Sequence, residues 1–215
     1  SKKGRRRRLG CLSNCRDEHD DRSLFLYQRS LGRALSNSVH SWLKNYFLRN
    51  VVIGLSRSPN VFRWKIAIPF LLFASTSYLY GSFFDLFNIG FLSSSLMCVL
   101  PITLFVFPSL LEEIVFRGLL IPQNIDKKAG FEKALYLLIS TLLFVLWHPF
   151  NAFTMNTGAQ GVFFNPHFLF IVTLLGLTCG YTYMHSKSLW VPVLIHWTTV
   201  VVWVFLLGGR NLVLQ

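Results

Sequence analysis

From residue 64 onward, apolar residues come in blocks of roughly bilayer length, separated by short polar loops. Before residue 64 they recur three and four apart among arginines and lysines. A helix that crosses the hydrocarbon core needs ~20 apolar residues. Five blocks approach that length, at residues 64–84, 91–121, 133–148, 167–185 and 189–208. Pro101 and Pro108 fall inside the second block and predict kinks or a break there. Upstream, Leu31, Leu35, Val39, Trp42, Leu43, Tyr46 and Phe47 form one stripe within 24–56. That stripe predicts an amphipathic helix, either lying in the membrane interface or packed on a cytosolic protein face. The pattern therefore predicts an all-α, polytopic membrane helix bundle of about five spans, carrying an N-terminal basic amphipathic helix. The expected domains are 1–60, a basic tail with its interfacial helix, and 61–215, the transmembrane part.

Composition agrees. Charged residues make up 14% of the chain, against ~25% in soluble domains. The charge is also unevenly placed. Residues 1–65 hold 15 Lys and Arg against 4 Asp and Glu, whereas residues 66–215 hold 6 against 5. A basic block abutting a membrane domain implies anionic lipid head groups as its partner, not nucleic acid. Loop charges set an orientation. Lys127, Lys128 and Lys133 lie in one loop and Lys187 in another, while the loops after residue 84 and at 149–166 carry neither Lys nor Arg. With the N-terminus on the cytosolic or stromal side, all four loops satisfy the positive-inside rule, and only Arg210 dissents. Cys11, Cys15, Cys98 and Cys179 complete no zinc ligand set.

The chemistry concentrates in Leu110-Leu111-Glu112-Glu113-Ile114-Val115-Phe116-Arg117-Gly118-Leu119. Each ionised group in such a run costs at least ~2.5–3.5 kcal/mol on insertion scales, and intramembrane charges normally face a bundle interior and mark function. Glu113 and Arg117 are four apart, on one face, in the favourable order for an ion pair, with a bidentate bond expected. Glu112 points about 100° away and lacks that partner. A buried salt bridge with a spare glutamate is the plainer alternative. His148 ends an apolar run and His196 lies inside another. Two intramembrane histidines beside a Glu-Glu-Arg motif favour function.

These residues carry a resemblance. Glu112-Glu113-Ile114-Val115-Phe116-Arg117 matches the EExxxR motif of the CAAX prenyl protease and bacteriocin-processing (CPBP, or Abi) family. Phe144-Val145-Leu146-Trp147-His148 matches its FxxxH motif, and His196 its last histidine. The resemblance covers residues 64–208. The stretch from Leu189 to Trp203 is similar to members from photosynthetic lineages, which implies a plastid thylakoid membrane. The chain departs at Val200, where the prenyl endopeptidases carry a polar residue thought to help hold an oxyanion. The sequence gives no licence to let Asn151, just beyond His148, take its place.

The resemblance implies an intramembrane endopeptidase acting on a membrane-embedded or membrane-adjacent peptide or protein. Glu112 would be the general base on a water. His148 and His196 would assist that water or hold the oxyanion, and Glu113 and Arg117 would fix the geometry. Glu112, His148 and His196 could ligate zinc, but there is no HExxH and a glutamate mechanism needs no metal, so no cofactor is expected. The competing reading is a catalytically silent subunit that keeps the fold and binds partners in a larger membrane protein complex, possibly a photosynthetic one. A transporter is disfavoured, because the spans show no internal repeat. One geometric difficulty stands against a shared site. His148 lies ~20 Å along its span from the inner end, Glu112 and His196 only ~12–15 Å along theirs.

Overall fold

The computed structural model describes residues 48–59, 63–91 and 99–209, with residues 29, 38, 41 and 44–46. The predicted amphipathic stripe lies outside these residues except for Tyr46, as do Cys11, Cys15, Cys98 and Arg210. Contacts divide the chain into Ser1–Tyr46 and Phe47–Gln215, and the second unit contains everything below. Among the described residues there is no strand, only an isolated bridge between Gly90 and Leu207.

Five helical passes run back and forth. They are α1 (Trp64–Phe83), a composite α2 over residues 100–119, α3 (Gly130–Thr154), α4 (Pro166–Ser186) and α5 (Trp190–Leu206). Helices α1, α3 and α4 are long and apolar enough to cross a membrane, and α5 is a shorter apolar helix of the same kind. The protein is an integral membrane helix bundle. Large apolar side chains such as Leu71, Leu79, Leu138, Leu142 and Phe153 stand exposed on α1 and α3. That exposure is ordinary for surfaces whose solvent is lipid.

Helix α4 is the most buried of the long helices. It begins where the sequence dictates: Pro166 occupies the first turn, and Asn165 Oδ1 accepts the His167 and Phe168 amides at 2.9 and 3.4 Å. Its Gly176-Leu177-Thr178-Cys179-Gly180 segment is a small-xxx-small face. A Cβ at Gly176 would come within 2.9 Å of Thr141 Cγ2, and one at Gly180 within 2.5 Å of Leu137 Cδ1. The two glycines are what bring α3 against α4.

Two expectations need correction. Pro101 kinks nothing: it lies in the first turn of its helix, where a missing N–H goes unnoticed. The break falls at Phe107, whose extended backbone (φ −125°, ψ 118°) precedes Pro108, as the restriction on pre-proline residues favours. The third span is not 133–148 but Gly130–Thr154. Glu132 reaches back to accept the Ala129 amide at 3.1 Å, which fixes an earlier start. The helix then runs on through Pro149 to Thr154.

At one end, the strap of residues 48–57 is tied to the chain between α2 and α3 and to the α4–α5 turn. Leu189 N–H donates to Gly54 O at 2.9 Å, Ser188 Oγ to Arg57 O at 2.7 Å, and Trp190 Nε1 to Leu55 O at 2.7 Å. Gln123 Nε2 donates to Tyr183 Oη at 2.9 Å and, more weakly, to Asn50 O and Lys187 O at 3.3 Å. Val51 packs with Ile121, Ile125, Tyr183 and Leu189. It closes directly on Gly118, where a Cβ would meet Val51 Cγ2 at 3.2 Å.

Candidate active site

The sequence motif lies on an unusual piece of helix. Glu112 and Glu113 occupy a single α-helical turn, Leu111–Glu113, between two π-helical stretches, Phe105–Leu110 and Ile114–Leu119. π-turns are rare and frequently accompany functional sites. Ser109 Oγ donates to Leu104 O at 2.8 Å, capping one carbonyl freed by the break.

Glu113, Arg117 and His196 form the buried half of the site. Glu113 and Arg117 have no exposed side-chain surface. Arg117 Nη1 donates to Glu113 Oε1 at 2.9 Å. The pair is single-bonded, not the bidentate pair expected, because Nη2 donates instead to Gly176 O at 3.0 Å. The guanidinium stacks over the Phe144 ring, 4.3 Å from its centroid, which offsets desolvation of the cation. Glu113 Oε1 also accepts from His196 Nδ1 at 3.0 Å. That bond fixes the imidazole tautomer: with the proton on Nδ1, Nε2 of the neutral ring is a bare acceptor.

Glu112 forms the other half, with His196 Nε2 4.0 Å from its Oε2. Its Oε1 accepts from Trp147 Nε1 at 2.9 Å. Oε2 has no hydrogen-bond partner among the described residues, nor have Glu113 Oε2 and Arg117 Nε. A water 2.8 Å from both Glu112 Oε2 and His196 Nε2 would subtend about 90° there, close enough to its own bond angle to donate to both.

These atoms border a cavity of about 1120 Å³. Phe73, Leu111, Val115, Phe168 and Trp203 give much of its wall an apolar face, and Glu112, His148, Asn151, His196 and Val200 also line it. His148 is thus on the same cavity as Glu112 and His196. Its Nδ1 lies 2.9 Å from Phe144 O. A carbonyl only accepts, so this nitrogen is the donor, and Nε2 of the neutral ring is again an acceptor. The rings of His148 and His196 flank Phe144 edge to face, at 5.0 and 5.5 Å.

The register between α2 and α3 removes the depth difficulty. Ser140 Oγ donates to Phe116 O at 2.7 Å, while Trp147 bonds Glu112. These two ties align the helices antiparallel with residue 137 beside the end of α2. The first two turns of α3 therefore project beyond α2. Its 25 residues span about 37 Å, more than the ~30 Å hydrocarbon core.

Sequence reasoning missed Trp147 and Gly176. Trp147 reads as one more apolar residue in a membrane run, and only the indole N–H distinguishes it. Gly176 contributes a carbonyl, which no side-chain pattern encodes. Of the remaining histidines, His167 Nδ1 is 2.9 Å from Tyr80 Oη, near one end of the bundle, and His185 Nδ1 is 3.0 Å from Tyr181 O. Among the described residues, no group of three or more His, Cys, Asp or Glu side chains is disposed to hold a metal ion.

A family profile described as type II CAAX prenyl endopeptidase, Rce1-like, matches residues 94–202, from just before α2 into α5. No curated protein and no solved structure matches the chain.

Proposed function

The chain belongs to the Rce1-like family of type II CAAX prenyl endopeptidases, a family of membrane proteases, and on that footing we propose that Glu112 activates a water against a peptide bond of a membrane-embedded or membrane-adjacent substrate. What supports this is one juxtaposition: two unpaired acceptors, Glu112 Oε2 and His196 Nε2, 4.0 Å apart beside a large cavity. A water bridging them gives one proton to Glu112 and hydrogen-bonds His196 with the other. Its oxygen bonds to the scissile carbonyl carbon, and the carbonyl π pair moves onto oxygen. The oxyanion pair then re-forms the C=O bond, the C–N bond breaks, and Glu112 returns the proton to the leaving nitrogen.

The other residues position this centre. Arg117 pairs with Glu113, Glu113 holds the His196 tautomer, and Trp147 occupies the second oxygen of Glu112, leaving Oε2 free. His148, with its bare Nε2, orders solvent or the substrate amide N–H. The scheme routes no step through a metal. The same reading puts the basic N-terminal segment on the cytosolic or stromal face, with a plastid thylakoid as the compartment.

The test is cleavage of a prenylated CAAX peptide by the purified protein in lipid nanodiscs. Glu112→Gln should keep the fold and lower kcat by about 10²–10⁴-fold. Full activity in that variant would discard the mechanism. Val200, an apolar residue on the cavity wall, favours a second reading, a silent subunit of a larger membrane complex. Stoichiometric co-purification with such a complex, without cleavage by the wild type, would select it.

A further inference from the structure

Amide hydrolysis develops negative charge on the carbonyl oxygen, and a preorganised donor must meet it. The proposed centre is short of donors. In its neutral form each imidazole offers a bare Nε2 to the cavity, because the Nδ1 protons go to Glu113 and to Phe144 O. The Trp147 indole N–H is held by Glu112, and the Arg117 guanidinium is fully buried against Glu113 and Gly176. The Thr199 hydroxyl donates to Ile195 O at 2.8 Å. Val200 has nothing to donate.

Asn151 is the cavity-lining donor on the helix face that carries Trp147 and His148. It lines the cavity with Glu112, His148 and His196, and its side chain makes no hydrogen bond among the described residues. It sits three residues beyond His148 and four beyond Trp147 on α3, hence on the same helix face. Helical side chains lean toward the N-terminus, so its amide covers the turn that carries Trp147 and His148, the turn that touches Glu112. Accepting from the substrate amide N–H suits the oxygen of the same group.

Resting on the protease reading above, we infer that Asn151 is a catalytic residue whose Nδ2–H donates to the developing oxyanion of the scissile carbonyl. It supplies from α3 the contact that Val200 leaves out on α5. Ser77 Oγ on α1, which is buried on the same cavity wall and has no partner among the described residues, is a competing donor, and Tyr78, Asn156 and Thr198 also line the cavity.

The experiment compares wild type, Asn151→Asp, Asn151→Ala, Ser77→Ala and the double variant Asn151→Ala/Val200→Asn on a fluorogenic prenylated CAAX peptide in nanodiscs. Thermal unfolding is followed in parallel. Asn151→Asp keeps the shape and removes the donor. The expected result is a fall in kcat of about 10²–10³-fold in both Asn151 variants, with KM within about threefold and unfolding temperatures unchanged. Partial recovery of kcat by Val200→Asn would be a signature no packing role produces. If the wild type cleaves and both Asn151 variants keep kcat within threefold, or if only Ser77→Ala loses it, the inference is overturned while the protease reading stands. If the wild type itself is inert on prenylated peptides, the reading fails, and the assignment of Asn151 falls with it.

Discussion

Two polar clusters meet the chain of α2 and its exit loop, and they are built on different principles. Around Arg117, in mid-bundle, a guanidinium and two carboxylates are gathered beside an imidazole, and Glu112 Oε2, Glu113 Oε2 and Arg117 Nε have no hydrogen-bond partner among the described residues. Around Gln123, one end of the bundle is stitched to the strap by amide, hydroxyl and main-chain groups, most of them neutral. The neutral cluster is what a fold needs to hold a segment in place. The charged one is costly, since each buried ion loses several kcal/mol of solvation before any pairing returns it. Within the charged cluster the contrast sharpens again. Glu113 accepts from two donors on one oxygen and has no exposed surface, while Glu112 accepts from one donor and borders the cavity; each leaves its Oε2 without a partner among the described residues. In the proposed mechanism, that difference separates a structural carboxylate from a reactive one.

The largest effects should come from breaking the sealed half. Arg117→Met strands the Glu113 charge in an apolar interior and should cost about 3–5 kcal/mol, read as loss of folded protein in detergent unfolding. Adding Glu113→Gln should recover part of that loss, because both charges are then gone. An additive outcome would mean that the two do not act as a pair. Glu112→Gln should instead leave the unfolding midpoint within experimental scatter and remove only activity. Gly176→Ala comes next. Its Cβ would meet Thr141 Cγ2 at 2.9 Å and Phe144 Cδ1 at 3.2 Å, an overpacking of about 1–3 kcal/mol that also pushes the Gly176 carbonyl away from Arg117.

Trp147→Phe keeps the ring and deletes the N–H bonded to Glu112. Little stability should be lost, while kcat should fall about tenfold, the equivalent of the ~1.5 kcal/mol at the lower end for a hydrogen bond to a charged group. A KM change with unaltered kcat would show that Trp147 contacts substrate and does not position Glu112.

How far this was legible in the sequence depended on where the information resides. The ends of α1, α4 and α5 fall within about two residues of the apolar blocks, because Asn165-Pro166 and the turn around Lys187 punctuate them. The Glu113–Arg117 pair follows from four-residue spacing alone. The approach of Glu112 to His196, 84 residues away, does not. It rests on close helix contacts that glycines permit, and on a register between α2 and α3 fixed by Ser140 and Trp147. The tautomers of His148 and His196 were equally hidden, because they are set by the carbonyl of Phe144 and the carboxylate of Glu113.

The neutral cluster gives the smallest predictions and the control on the comparison. Gln123→Ala removes bonds to Asn50, Tyr183 and the Lys187 carbonyl, and should lower stability by about 1–3 kcal/mol without touching kcat. The one ion pair here, Lys187 Nζ to Asp126 Oδ1 at 3.1 Å, has an Asp126 side chain that is 75% exposed. Pairs so open to solvent are worth at most about 1 kcal/mol and weaken with salt. Asp126→Asn should therefore move unfolding by less than Gln123→Ala does, and the small difference should vanish in 0.5–1 M salt, where the screening length falls to a few ångströms. If Asp126→Asn proved the more damaging of the two, or its effect persisted at high salt, the strap would be held by charge after all. The division between a neutral fastening and a charged working centre would then fail at the end of the bundle where it is cheapest to check.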